Sequence, residues 1–94
     1  MYKTILRQMR DRVRRRQYVM TLHAEEEMAD DGFTIFDVER AILTGDIIER
    51  QEDHQSGEWK YLVLGQVIDG RMVTVVAKLS ATNKLVIITV YLER

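Results

Sequence analysis

The sequence predicts an α+β domain, with N-terminal helices packed on one face of a C-terminal antiparallel sheet of about four strands. Two observations carry most of that prediction. Apolar residues recur at helical spacing from Tyr2 to Ile42, and after Gly45 the period changes from 3.6 to 2. A third supports it: the apolar runs after Gly45 are separated by clusters of turn-forming residues. With 94 residues the chain is read as a single domain, residues 1–17 forming a basic amphipathic helix and 18–94 an α+β core.

The first helix is read from Tyr2, Ile5, Leu6, Met9 and Val13 on one face, with Lys3, Arg7, Arg10 and Arg14 on the other. Arg14, Arg15 and Arg16 place cations at its C-terminus, where the helix dipole favours them. Tyr18-Val19-Met20 is a short extended link or strand. Thr21 is a candidate N-cap for a second helix that Gly32 ends. Thr34 with Asp37 reads as a capping box for a third helix, whose core face is Ile35, Val38 and Ile42 and whose C′ residue is Gly45. Strands are then expected at 46–52, 59–68, 71–79 and 84–92. Asp69-Gly70 suits a two-residue hairpin and Ser80-Ala81-Thr82-Asn83 a four-residue turn.

Those two turns fix a register. Leu62, Leu64, Val73, Val75, Ala77, Val86, Ile88 and Val90 then share one apolar face, which is expected to carry the helices. Tyr61, Val63, Met72, Thr74, Val76, Lys78, Leu85, Ile87, Thr89 and Tyr91 fall on the other, and Lys60 points to the helix side. An uncovered face with that much apolar surface reads as a binding surface.

Composition excludes several classes. Cysteine is absent, which removes disulfides, thiolate metal sites and cysteine nucleophiles. No apolar run reaches the roughly 18 residues of a membrane span, and the N-terminus lacks a signal-peptide core, so a cytoplasmic protein with no membrane partner is expected. His23 and His54 lack metal-ligand spacing, no Gly-rich phosphate loop precedes a helix, and no metal or cofactor is expected. The net charge of −1 conceals an asymmetry: residues 1–16 hold seven cations against Asp11, and residues 23–58 hold twelve acids against Arg40 and Arg50. A basic arm for nucleic acid and internal charge complementarity both account for it.

Metal-free acid–base chemistry remains. Cleavage of RNA through its own 2′-hydroxyl needs a base, a cation for the phosphate and an acid for the 5′ oxygen. His23, Lys78, Tyr91 and Tyr61 are groups of the right kind. Each also has a structural reading: a helix-start histidine, a sheet lysine, and tyrosines that favour strands.

Taken together, Thr21-Leu22-His23-Ala24-Glu25-Glu26-Glu27-Met28, Thr34-Ile35-Phe36-Asp37-Val38-Glu39, Thr44-Gly45-Asp46-Ile47-Ile48-Glu49 and Leu85-Val86-Ile87-Ile88-Thr89-Val90-Tyr91 resemble the family called domain of unknown function 4258. The resemblance covers about residues 18–92. An arginine is common in that family where this chain has Glu27. The family looks like the RelE-like and MqsR-like toxins of bacterial toxin–antitoxin pairs. That resemblance implies mRNA cleavage without metal and a small antitoxin partner, in relatives often one with a CxxC zinc finger. It assigns His23 to acid–base work or substrate positioning, Lys78 to the phosphate, and Tyr91 to proton transfer or stacking.

Two readings follow. In the first, the chain is a toxin-type endoribonuclease whose open sheet face holds RNA. Tyr61, Thr74 and Thr89 would contact substrate, and Arg7, Arg10 and Arg14 would join Lys78 at phosphate. In the second, it is a non-catalytic interaction module or decayed toxin that docks a partner on that face. The acid-rich stretch Glu49 to Glu58 favours the second locally.

Overall fold

Each helix starts and stops where its side chains can close the backbone. The computed structural model describes residues 1–93. Helix α1 spans Lys3–Arg14 and buries Leu6, Met9 and Val13, the stripe its periodicity marks out. Strand β1 is Tyr18–Met20. Helix α2, Leu22–Asp31, is capped by the Thr21 hydroxyl, which accepts from Ala24 N–H, and ends at Gly32 in the left-handed conformation. Helix α3, Ile35–Thr44, begins with the full Thr34–Asp37 capping box and buries Val38, Ala41 and Ile42.

Gly45 follows α3 but is not left-handed, its φ being −92°. Space explains it instead: a Cβ there would lie 2.4 Å from Leu64 O and 2.5 Å from Ala41 O. Gly65, across from it, would place a Cβ 2.1 Å from Ala41 O. The two glycines let α3 lie directly on the sheet backbone.

Strands β2 (Asp46–Glu52), β3 (Trp59–Gln66), β4 (Met72–Leu79) and β5 (Leu85–Leu92) complete a five-stranded sheet of order β1-β5-β4-β3-β2. The sheet is mixed, because β1 pairs parallel with β5 while the other four strands are antiparallel. The expected sheet of about four antiparallel strands is thus extended by Tyr18–Met20, a segment too short to declare its pairing.

Both hairpins differ from the expected register by one residue, and for the same reason. Val67 pairs with Arg71 around the three-residue loop Ile68-Asp69-Gly70, with Gly70 at φ 94°. Ser80 pairs with Lys84 around Ala81-Thr82-Asn83, with Asn83 at φ 66°. A three-residue loop whose last residue is left-handed matches strand twist as well as the two-residue turn does.

The slip inverts β3. Leu62 pairs with Val76 and Leu64 with Thr74, so Leu62, Leu64 and Lys60 lie on the open face, while Tyr61 and Val63 join the core. In β5 the register shifts again opposite Val76 and Ala77, leaving Ile88 as an extra residue. Leu85 and Ile87 before that bulge, expected on the open face, and Val90 after it all face the helices and are fully buried. Val86 and Ile88, expected in the core, are only partly buried. Strand β4 alone keeps the face it was expected to have: Val73, Val75 and Ala77 lie in the core. The three helices contribute Met9, Val13, Ala24, Met28, Val38, Ala41 and Ile42 to that same core, so they all cover one face.

Among the described residues, no helix is long and apolar enough to cross a membrane.

Candidate functional site at the β5 edge and the open face

The outer edge of β5 carries β1 only as far as Ile87; beyond it, α2 takes over. Thr21 N–H donates to Ile87 O (3.0 Å), and the Thr21 hydroxyl donates to Ile88 O (2.9 Å). The carbonyls at the bulge are therefore bound by the residue that caps α2. Farther along, Val90 N–H donates to Glu27 Oε1 (3.0 Å). A side chain thus supplies the acceptor that a sixth strand would have provided.

His23 stands one turn before Glu27, with Nε2 at 3.3 Å from the same Oε1. The imidazole is exposed at 65%, and the carboxylate is shielded to 24%. The geometry links imidazole, carboxylate and the Val90 backbone, and Tyr91 is the next residue. His23 is in this way held at the Val90 backbone, while the side chain of Tyr91 shares the open face with Thr74.

Lys78 is not brought there. It lies on the open face, where it pairs with Glu58 Oε1 at 3.1 Å and Asp53 Oδ2 at 3.6 Å. Tyr91 pairs with Thr74, four residues along β4 from Lys78, a separation of roughly 13 Å at the usual strand rise. The Asp53 carboxyl is held below the ordinary carboxylate value, first by Gln55 N–H, against some desolvation, with help from Ser56 and from the Lys78 charge. The ammonium of Lys78 is already neutralised.

The expected substrate-binding residues also separate. Tyr61 is buried on the helix side, edge-on to Tyr2 at 5.9 Å, and is not on the open face. Thr74 is on the open face but fully buried, its hydroxyl donating to Glu93 Oε1 (2.7 Å). Thr89 is partly exposed opposite Val76, and Tyr91 is 37% exposed. Arg7, Arg10 and Arg14 belong to α1, on the opposite side of the sheet from Lys78, because α1 packs its apolar stripe on the helix face. Arg10 is committed to α3: its Nη2 donates to Gly45 O (2.7 Å) and its Nε to Ile42 O (3.3 Å).

Two residues of this site carry a signal in their spacing alone. The spacing of His23 and Glu27 is that of a helical i,i+4 pair. The second role of Thr21, bonding the bulge, has no local signal, because the bulge itself is set by pairing across the sheet.

The profile of one family, Domain of unknown function (DUF4258), matches residues 20–92. The chain belongs to the DUF4258 family. That domain begins at the end of β1 and takes in α2, α3 and strands β2 to β5; helix α1 lies outside it. No curated protein matches the chain. No solved structure matches it either.

Proposed function

We propose that this DUF4258 chain is the toxin of a bacterial type II toxin–antitoxin pair, a metal-independent mRNA endoribonuclease resembling the RelE-like and MqsR-like proteins. Its partner would be a small antitoxin, of the kind that carries a CxxC zinc finger. The observation that carries the reading is the His23–Glu27 pair, anchored on Val90 N–H and adjacent to Tyr91. With Nε2–H donating to Glu27, the His23 Nδ1 lone pair is free to act as a base. It takes the proton of a 2′-hydroxyl, and the 2′ oxygen attacks the adjacent phosphorus. The bond from phosphorus to the 5′ oxygen breaks, and the Tyr91 hydroxyl gives that oxygen its proton. The products are a 2′,3′-cyclic phosphate and a 5′-hydroxyl; the proton on His23 returns to Tyr91 through solvent. Thr89, on the same face as Tyr91, is placed to hold the substrate backbone.

This proposal moves the chemistry away from Lys78, whose charge two carboxylates already neutralise. The same observation favours a second reading for the open face. With its cation closed off and Ile48 and Met72 exposed beside Leu64, that face suits a protein partner better than a phosphate backbone.

Tightly controlled expression tests the first reading. Wild type should arrest growth with loss of mRNA, and His23→Ala should abolish both while remaining folded. Intact mRNA with folded wild-type protein present would leave only the docking reading.

A further inference from the structure

The first helix carries a basic surface that the chemistry above does not use. Its cations divide into two sets. Arg12 donates to Asp11 and to Asn83 O, Arg15 pairs with Asp11, and Arg10 holds the C-terminus of α3. Lys3, Arg7 and Arg14 are exposed and have no salt-bridge or hydrogen-bond partner among the described residues. These three, with Arg10 between them, succeed one another on one side of α1 over roughly 16 Å of helix. They line a groove of about 400 Å³ between α1 and the start of β2, floored by Leu6 and edged by Asp46.

We propose that this groove is a docking track for the phosphodiester backbone of single-stranded RNA, read without regard to base sequence. Lys3, Arg7 and Arg14 are its phosphate contacts. Arg10 is a positioning residue, since its guanidinium fastens the groove wall to Gly45 and Ile42. Two arguments select this ligand. A single row of cations follows one backbone rather than the two of a duplex. A membrane surface would require apolar side chains beside the cations, and those of α1 (Leu6, Met9, Val13) are buried in the fold. The cations of the track lie outside residues 20–92, the part that the family profile matches. The inference rests on the reading of RNA as ligand, but it concerns binding and not cleavage.

The test is fluorescence anisotropy with a labelled 12-nucleotide 2′-O-methyl oligouridine, which cannot be cleaved through its 2′ position. The full chain is used, at several salt concentrations. Arg7→Gln/Arg14→Gln should weaken binding roughly tenfold and reduce the salt slope by about 1.4, from about 0.7 per lost phosphate contact. Asp46→Asn should tighten binding, and Arg71→Gln, at the distant β3–β4 loop, should leave it unchanged. Glutamine is a good helix former, so the double variant keeps α1, which its thermal unfolding confirms. Unchanged affinity and slope in the folded double variant would overturn the track. So would tighter binding to a 12-base-pair duplex, or preference for phosphatidylserine vesicles. Oligouridine binding through the track with no cleavage of ordinary RNA would sustain this inference and sink the nuclease.

Discussion

The two faces of the sheet bury their side chains by different means. On the helix face Val63, Val73, Val75, Ala77, Leu85, Ile87 and Val90 are sealed by three helices. On the open face Leu62, Thr74 and Val76 are also buried, yet the helices pack on the other side. Their shelter comes from neighbours within the sheet and its ends: Tyr91 opposite Thr74, Glu93 bonded to the Thr74 hydroxyl, and Lys78 tied to Asp53 and Glu58. A covered face derives its stability from packing between layers. The open face satisfies its own polar groups and leaves Met72 and Tyr91 partly exposed.

The largest expected effect breaks the contact between layers. Gly65→Ala sets a methyl against the Ala41 carbonyl and should cost more than about 3 kcal/mol, a large share of the stability of a domain this small, read as a lowered urea midpoint. Next, Ile87→Ala should cost about 3 kcal/mol and Val86→Ala about 1 kcal/mol or less. Equal costs, or the reverse order, would restore strict alternation in β5 and remove the bulge. Third, Glu27→Ala strands the Val90 N–H and should cost about 1–2 kcal/mol, with faster amide exchange at Val90. Glu27→Gln, which keeps an acceptor, should recover most of that loss.

The smallest effect is pH-dependent. Burial pushes the Asp37 carboxyl up, but bonds from Thr34 N–H, Ile68 N–H and the Thr34 hydroxyl outweigh it, and the net value lies below an ordinary carboxylate. A depressed folded-state value means its stabilisation is fully present above the unfolded value, near pH 4, and is lost as pH falls through the folded value. Asp37→Asn should therefore lower stability at neutral pH and flatten the acid limb of the urea midpoint. A parallel limb in the variant would show that Asp37 contributes nothing specific to it. At the opposite end of the scale, burial, then the bond to Glu39 and its charge, push the Tyr18 hydroxyl up to about 12, against the pull of Arg16. Tyr18 stays a hydrogen-bond donor throughout the physiological range.

Much of this fold was legible because the signals were local. Thr21 and Thr34 declared their helices, Gly32 ended one, and β4 alternated cleanly enough to orient itself. What was not legible depended on pairing. Asp69-Gly70 permits a two-residue and a three-residue loop alike, and one residue reverses every side chain of β3. That slip removed Tyr61 from the candidate surface and placed Lys60 on it. The bulge at Ile88 undid alternation halfway along β5, so Thr89 and Tyr91 were oriented correctly while Val86 and Ile88 were not. For the site, residue types were legible and convergence was not. His23 is tied through Glu27 to the Val90 backbone, next in the chain to Tyr91, whereas Lys78 stands four residues away along β4 and the arginines lie on α1.

The central claim is that RNA is cut at the β5 edge by His23, with Glu27 behind it. It is tested most directly by incubating purified protein, in chelator, with a defined RNA and determining the product ends by mass spectrometry. The account predicts 2′,3′-cyclic phosphate and 5′-hydroxyl ends, a rate lost in His23→Ala, and one retained in Lys78→Ala. Cleavage that survives His23→Ala, or no cleavage by folded wild type with or without ribosomes, would contradict it.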